Sequence, residues 1–447
     1  MRFNVLNFIE VKRDGGEHSE GEMRAFVQGL MDGSVADYQA AAWLMAAFIR
    51  GLSIREMSHL TVALARSGDV FQLDPSCGFS VDKHSTGGVG DKVTLVLVPL
   101  VASLGIPVAK LSGRGLGFTG GTVDKLEAIP GMNVHLTMEA FKAQVAEIGC
   151  AVSGHSLQLA PAEGKLYHLR DVTSTVPSMG LIATSIVSKK IAGGANGFVF
   201  DVKWGRGALM ESYQDAVALG RLLVDLSWEL GHPSRAVLTS MEQPLGQWVG
   251  NSAEVREAIE VLSGGGPEST RQVCLALARE MVLLANKAQD PEEAMDLCRR
   301  GLDDGSALER FAQMVSRQGG DSSIVDPSRW DELLPLAPHV VPLVAQRSGY
   351  VSAMDTRAIG EALRSLGGGR MRKEDPIDHR VSIRMACEIG QEVQAGDPLL
   401  HVYGRTLGSS QDVVEMLRGA VSIGDEPVEP GPLMRDVIAP LERTGEN

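Results

Sequence analysis

The stretch "KLSGRGLGFTGGTVDKLE", residues 110–127, places five glycines between a short apolar run and a segment that is typical of a helix. Glycines at a strand-to-helix junction allow backbone N–H groups to converge on an anion. The side chains of Lys110, Ser112, Thr119 and Thr122 can add an ammonium and three hydroxyl groups. The stretch therefore predicts an anion-binding loop in an α/β domain, at the carboxyl end of a strand.

A second glycine loop, "KHSTGGVGDK" at residues 83–92, lies about twenty residues upstream. Lys83, Ser85 and Thr94 can supply an ammonium and two hydroxyl groups, whereas the G-x-x-x-x-G-K-[ST] pattern of a nucleotide-binding P-loop is missing there. Taken alone, the loop is equally compatible with a glycine turn flanked by solvated lysines. Two hydroxyl-rich glycine loops together fit one tetrahedral oxyanion better than an extended pyrophosphate.

A formal G-x-G-x-x-G at Gly115, Gly117 and Gly120 raises the alternative of a dinucleotide-binding dehydrogenase. That fold requires an acidic residue about 20 positions further on, at the end of the next strand. The next segment, "TMEAFKAQVAEIG", instead has the apolar periodicity of a helix. The pattern therefore disfavours a dehydrogenase.

Composition limits the class of protein. The chain has 447 residues, of which 44% are hydrophobic and 22% charged, enough for two or three domains with a large core. A net charge of −14 argues against a nucleic-acid partner. No apolar run approaches the roughly 20 residues that span a bilayer, and the N-terminal residues lack the pattern of a signal peptide. The five scattered cysteines lack CxxC spacing, so we expect a cytoplasmic protein without disulfides or zinc.

The order of patterns predicts a small all-α domain, an α/β domain and a C-terminal α+β domain. Capping-box spacings at Ser19 with Glu22 and Ser53 with Glu56 begin helical segments near the N-terminus. The stretch 303–345, rich in Asp, Gly, Ser and Pro, is typical of a connector. The predicted domains are residues 1–67 with about 163–193 for the helical domain, 77–160 with about 195–335 for the α/β domain, and 345–440 for the C-terminal domain.

The segment "SGRGLGFTGGTVDKLE" resembles the signature of thymidine and pyrimidine nucleoside phosphorylases, and "KHSTGGVGD" is similar to the phosphate loop of that family. The resemblance extends to about residue 420 and includes "SAMDTRAIG" and "LGGGR". It implies the three-domain architecture shared by nucleoside phosphorylases and phosphoribosyltransferases, and a homodimer whose α and α/β domains close over the substrates. One departure is Phe118, where the family usually has histidine.

The resemblance also implies the site residues. The residues matching the phosphate site are Lys83, His84, Ser85, Thr94, Lys110, Leu111, Ser112 and Thr122. The residues matching the nucleoside site are Lys110, Leu116, Tyr167, Arg170, Ile182, Ser185 and Lys189. A pyrimidine edge offers two carbonyl acceptors and one N–H donor, which two cations and the Ser185 hydroxyl can match. Without the resemblance, a surface pair of Arg170 with Asp171 and a solvated helix end at Lys189 and Lys190 would be favoured, and Ile182 would equally be ordinary core.

The implied activity is reversible phosphorolysis of a pyrimidine nucleoside, with inorganic phosphate as co-substrate and no cofactor. His84, Arg170 and Lys189 would be catalytic, with His84 a general acid at an ordinary pKa near 6.5, or else only an ordering residue of the glycine turn. Lys110 matches family members that accept both uridine and thymidine, rather than the thymidine-selective ones. The alternatives are an anthranilate phosphoribosyltransferase-like enzyme, which would leave the base-edge residues unexplained, and a silent binding protein on the same scaffold.

Some family members hold a potassium ion, and the matching positions here are Gly90, Lys92, Leu245, Trp248 and Glu257. Lys92 and Trp248 depart from the small residues often found there. Because an ammonium is close to potassium in charge and radius, Lys92 is predicted to replace the ion and to pair with Glu257 under Trp248. The alternative is a solvent-facing lysine at the end of the loop. No catalytic metal is expected.

Overall fold

The computed structural model describes residues 3–115, 117–155, 158–372 and 374–440. The α-helices are α1 Val5–Arg13, α2 Glu20–Asp32, α3 Asp37–Arg50, α4 Ile54–Ala65, α5 Val93–Ser103, α6 Thr122–Leu126, α7 Met138–Ile148, α8 Pro161–Val172, α9 Met179–Ala192, α10 Tyr213–Glu229, α11 Asn251–Leu262, α12 Glu268–Leu284, α13 Pro291–Asp303, α14 Ser306–Arg317, α15 Trp330–Leu333, α16 Thr356–Leu363 and α17 Leu407–Met416. The strands are β1 Val81–Ser85, β2 Val108–Ser112, β3 Cys150–Gly154, β4 Gly197–Trp204, β5 Ser234–Ser240, β6 Trp248–Val249, β7 His339–Val344, β8 Gly349–Met354, β9 Ser382–Met385, β10 Glu392–Val393, β11 Pro398–Gly404, β12 Val421–Gly424 and β13 Met434–Ile438.

Helices α1 to α4 form a bundle with α8 and α9. Both predicted capping boxes are present, since Ser19 and Ser53 each accept from the backbone of the glutamate three residues on. The core of the bundle is aromatic: the Phe8 ring lies 4.8 Å from that of Phe26 and 5.7 Å from that of Trp43. Apolar residues of α8 and α9 belong to the same buried cluster. The two later helices therefore pack back onto the N-terminal ones, while the exact domain boundaries stay a prediction.

The main sheet of the α/β domain has the strand order β1-β4-β5-β13, with β1, β4 and β5 parallel. Strands β2 and β3 form a second parallel pair beside it. Strand β1 ends at Ser85 and β2 at Ser112, each directly before a glycine loop. The first three residues of the first glycine motif, 83–85, are thus strand, which places Ser85 at the carboxyl edge.

Helix α5 lies at the centre of this domain. Its residues 93–102 are all buried, as expected for a helix that is apolar on every side. Its N-terminus follows the first glycine loop, so its unpaired backbone N–H groups and Thr94 face the same edge as the ends of β1 and β2.

The stretch 303–345 is not a connector. Residues 306–317 form α14, which packs on α5 and buries Phe311, Met314 and Val315 completely. The Asp and Ser content that favours a loop belongs to the turns around the helix. There, the carboxylates of Asp304, Asp321 and others accept from nearby backbone N–H groups.

The C-terminal module contains β7 to β12 with α16 and α17, arranged as two antiparallel sheets. Two strands join it to the α/β domain. Strand β6 pairs with β9 of the module, and β13, which we expected in the module, pairs antiparallel with β5 of the main sheet. Among the described helices, none combines the length and the apolar character needed to cross a bilayer.

The packing of α14 predicts the effect of truncating its core side chain. Phe311→Ala should lower the free energy of unfolding by about 3–5 kcal/mol, because it empties a fully buried aromatic site against α5. Ser316→Ala, at an exposed position of the same helix, is the control and should change it by less than about 0.5 kcal/mol. Urea unfolding followed by circular dichroism measures both. Equal stability of the two variants would contradict the packing.

Candidate active site

A cavity of about 440 Å³ opens where the two glycine loops face helices α8 and α9. Twelve of the predicted site residues line it: His84, Ser85, Thr94, Lys110, Leu111, Ser112, Thr122, Tyr167, Arg170, Ile182, Ser185 and Lys189. Leu116 lies outside the described residues. Lys83 is buried behind the cavity wall, where its ammonium lies 3.0 Å from the Asp201 carboxylate. The cavity therefore joins the residues predicted for phosphate to those predicted for the base.

The first loop is held by an aspartate that sequence reasoning missed. The Ser85 hydroxyl donates to Asp91 Oδ2 at 2.5 Å and accepts from the Gly87 amide at 3.1 Å. Although burial opposes it, Lys203, Lys83 and Lys125 hold the pKa of Asp91 well below its usual range. Asp91 is therefore ionised, and Ser85 must turn its hydroxyl away from Asp91 to donate to an anion in the cavity.

Lys92 anchors the end of the first glycine loop through three contacts of its ammonium. Its ammonium lies 2.9 Å from Glu257 Oε1, and it donates to the carbonyls of Leu245 at 2.7 Å and Trp248 at 2.8 Å. Gly90 has a φ of +74°, and a Cβ there would lie 2.7 Å from the Leu245 carbonyl oxygen, so the close approach requires glycine.

The Lys92 ammonium fills the space between the carbonyls that the family resemblance gives to a potassium ion. Neither Lys92 nor Glu257 has measurable exposure, so the lysine is not solvent-facing. The Trp248 ring packs on Tyr403 and on the Arg384 guanidinium of the C-terminal module, and the Trp248 carbonyl accepts from Lys92. Because the Lys92 ammonium already lies between the Leu245 and Trp248 carbonyls, these residues do not fit a metal cation there.

The second loop is held by Asp124 of its own domain and by the C-terminal module. Asp124 accepts from the Gly115 amide at 2.7 Å, from Arg114 at 3.0 Å and from Arg370 of the C-terminal module at 2.7 Å. The Phe118 ring lies 5.0 Å from the Arg357 guanidinium on α16. Phe118 is therefore a contact to the C-terminal module and does not line the cavity.

Helices α8 and α9 build the opposite wall. Glu163, Tyr167 and Arg170 follow one another at spacings of four and three on α8, so they share one face. On α9, Ser185 and Lys189 are one turn apart, and the Lys189 ammonium donates to the Ser185 hydroxyl oxygen at 3.2 Å. The Tyr167 ring centroid lies 5.8 Å from the Arg170 guanidinium and 5.6 Å from the Lys189 ammonium.

Arg170 is more deeply involved in the fold than the sequence indicates. Its guanidinium donates to the carbonyls of Thr175, Leu181 and Val176, at 3.4, 3.0 and 2.7 Å. Burial lowers the pKa of Arg170 from its usual value, although Glu163 opposes this. Removing the side chain would therefore loosen the turn before α9 as well as remove a cation from the cavity.

The ordinary pKa expected for His84 is wrong. Burial at the end of β1, together with Lys190, Lys110 and Lys189, lowers the pKa of His84 well below 6.5. The imidazole is therefore neutral at pH 7 and can donate one N–H, and an anion bound in the cavity would raise its pKa again.

The pKa of Lys110 is also shifted from its usual value. Its ammonium donates to the Lys83 carbonyl at 2.6 Å and lies 3.7 Å from Asp82, which Lys190 contacts more closely, at 2.5 Å. Burial, with Lys190 and Lys83 near by, lowers the pKa of Lys110 well below its usual value. An anion in the cavity would raise it again, because the opposite charge favours the ammonium.

Four residues in or directly behind the site were missed. Asp91 and His155 line the cavity, Glu163 contacts Ser185 and Lys189, and Lys125 donates to the Asp91 carbonyl. Two of them could have been found from the sequence, since His155 directly follows β3 and Glu163 lies on the same helical face as Tyr167 and Arg170. Within the described ranges, no group of three or more His, Cys, Asp or Glu side chains is placed to hold a metal ion.

Comparison with known proteins places this architecture in a class. Family models for the glycosyl transferase helical bundle domain and the glycosyl transferase a/b domain match residues 6–68 and 78–308. The model for a pyrimidine nucleoside phosphorylase C-terminal domain matches residues 350–424. A solved anthranilate phosphoribosyltransferase from Thermus thermophilus has a TM-score of 0.57 at 18% identity, covering 69% of this chain and 98% of its own, so it shares the fold. Fold and domains thus define a glycosyl transferase.

Curated relatives narrow the class. A pyrimidine-nucleoside phosphorylase from Geobacillus stearothermophilus is 45% identical over 97% of this chain and 100% of its own. Another, from Staphylococcus haemolyticus, is 46% identical over 95% of this chain and 98% of its own. The chain belongs to the pyrimidine-nucleoside phosphorylase family. The predicted family, fold class and pentosyltransferase class are confirmed.

The Lys92 contacts predict that removing one partner of the Lys92–Glu257 pair lowers the stability of the protein strongly. Lys92→Met should lower the free energy of unfolding by about 3–5 kcal/mol, because it leaves the Glu257 charge buried without its partner. The double variant Lys92→Met with Glu257→Gln should lose less than the sum of the single losses. Lys287→Met, at an exposed position, is the control in the same denaturation measurement. A Lys92→Met protein as stable as this control would contradict the assignment.

Proposed function

We propose that this protein catalyses the reversible phosphorolysis of uridine, thymidine and deoxyuridine to the free base and ribose or deoxyribose 1-phosphate. The observation that carries the proposal is the single cavity that joins two glycine loops to a wall carrying Arg170, Ser185 and Lys189. The names of the curated relatives support the same activity.

Phosphate is a competent nucleophile at neutral pH, so the enzyme has to orient it and manage charge. In the proposed mechanism, Ser85, Thr94, Ser112 and Thr122 hold phosphate at the ends of β1 and β2 and the N-terminus of α5. Fixing it next to the bound sugar replaces a bimolecular encounter by a near-attack arrangement. Lys83 acts in this mechanism from the buried charge cluster behind the loop, where its ammonium pairs with Asp201.

The base leaves as an anion with negative charge on its carbonyl oxygens. Arg170 and Lys189 then stabilise more charge in the transition state than in the ground state, which accelerates the step. His84 would assist as an N–H donor to the phosphate or the base. Tyr167 and Ile182 contribute apolar surface beside the ring.

Acceptance of ribose rests on Lys110. Its ammonium lies in the cavity wall between the two loops, where it can satisfy a 2′-hydroxyl that would otherwise lose its water without a new partner. We therefore favour broad pyrimidine nucleoside specificity over thymidine-selective cleavage.

The proposal includes a homodimer in the cytoplasm. Helix α3 exposes an apolar face with Tyr38, Met45, Phe48 and Ile49, of which Tyr38 is 77% and Ile49 69% exposed. An apolar stripe at helical spacing on a surface helix is typical of a subunit interface. All five cysteines are free thiols, which is compatible with a reducing compartment.

The activity is tested by mixing the protein with uridine or thymidine and phosphate and measuring the free base by chromatography. We expect uracil and thymine, each formed only when phosphate is present. Because Lys92 occupies the space between the carbonyls, the rate should not change when potassium is replaced by sodium in a chelator-treated buffer. Cleavage of thymidine without uridine would contradict the specificity, and a potassium requirement would contradict the role of Lys92.

The phosphate assignment is tested with Ser85→Ala. The variant should raise the KM for phosphate severalfold and the KM for uridine much less, because it removes a hydroxyl that can donate to the anion once it turns away from Asp91. Ser103→Ala, which removes a hydroxyl at the far end of α5, is the matched control. An unchanged phosphate KM in Ser85→Ala would remove this hydroxyl from the phosphate site.

A further inference from the structure

Glu163 is a buried carboxylate whose two oxygens both face the residues proposed to bind the base. Its side chain is 6% exposed. Oε1 accepts the hydroxyl hydrogen of Ser185 in a short hydrogen bond, and Oε2 lies 3.1 Å from the Lys189 ammonium. Lys189 also donates to the Ser185 oxygen, so the three groups form a closed triangle.

This triangle fixes the direction of the Ser185 hydrogen bonds. A hydroxyl has one hydrogen and two lone pairs. The hydrogen is bound to Glu163 and one lone pair accepts from Lys189, which leaves one lone pair for a ligand. An ionised carboxylate cannot donate, so the hydroxyl cannot reverse without leaving two buried acceptors facing each other.

We propose that Glu163 is a positioning residue that makes Ser185 an obligate acceptor and thereby selects bases that carry a hydrogen on N3. The inference rests on the proposed function of the same site. Uracil and thymine present N3–H to the free lone pair. Cytosine presents a lone pair at N3, which would face the Ser185 lone pair with no hydrogen between them. A site built to accept one hydrogen rejects a ligand without it, because its buried polar groups stay unpaired.

The test replaces Glu163 by a group that can both donate and accept. In Glu163→Gln the side-chain amide can turn its NH₂ toward Ser185, which frees the hydroxyl hydrogen for a base. Glu280→Gln is the matched control, since Glu280 is also buried and bound to two arginines, Arg235 and Arg279, but lies outside the cavity. Glu163→Asp keeps the charge and shortens the reach, and serves as a second variant if the glutamine protein does not fold.

The readout is competition by the free bases during uridine phosphorolysis. Each protein is assayed with added uracil or added cytosine, and the ratio of the two inhibition constants is compared. We expect this ratio to shift at least tenfold toward cytosine in Glu163→Gln, less in Glu163→Asp, and not at all in Glu280→Gln. The KM for phosphate should stay within twofold, which a general loss of structure would not allow.

A second measurement separates action through Ser185 from a general effect. In a Ser185→Ala background, adding Glu163→Gln should leave the uracil-to-cytosine ratio unchanged within twofold. An unchanged ratio in Glu163→Gln, including no inhibition by cytosine at its solubility limit, overturns the proposal, as does a full shift in the Ser185→Ala background. Failure of the proposed function shows separately, as a wild-type protein that releases no uracil from uridine and phosphate.

Discussion

Two buried lysine–glutamate pairs on one face of α11 hold both glycine loops in place. Glu254 and Glu257 are three residues apart on this helix, so both side chains point the same way. Glu257 binds Lys92, and Glu254 lies 3.0 Å from Lys125. Each ammonium also binds loop carbonyls: Lys125 donates to Asp91 at 2.6 Å and to Gly120 at 3.4 Å.

The pairs act as cross-links because none of these charges has an alternative partner in water. The four side chains are at most 2% exposed. A buried charge that loses its partner costs several kcal/mol, so neither loop can move away from α11 without breaking the pair that holds it. Lys125 spans the first loop and the second, which fixes the distance between the groups proposed to surround phosphate. Glycine supplies the close backbone approach, and the lysines supply the rigidity.

The sequence predicted what depends on local pattern. Capping boxes and glycine loops are recognisable within a few residues, and the order of the patterns indicated the three-part architecture. The acids that orient the site were missed because either their contacts or their charge state depend on residues that are distant in the sequence. Glu163 is 22 residues from Ser185, and Asp91 owes its ionisation to Lys203 and Lys125 as well as to Lys83. Helix α14 was missed because the residues of its flanking turns outweighed an apolar spacing of three and four at Phe311, Met314 and Val315.

The two serines of the cavity show how one local motif can prepare opposite chemistry. Both Ser85 and Ser185 donate to a carboxylate. At Ser185 this leaves an acceptor for an N–H group, in agreement with the proposed role at the base. At Ser85 the same arrangement leaves an acceptor where phosphate needs a donor, so an arriving anion must compete with Asp91 for the hydroxyl hydrogen. Since the Gly87 amide already donates to the Ser85 oxygen, only the hydroxyl has to turn, and the backbone of the loop can keep its position.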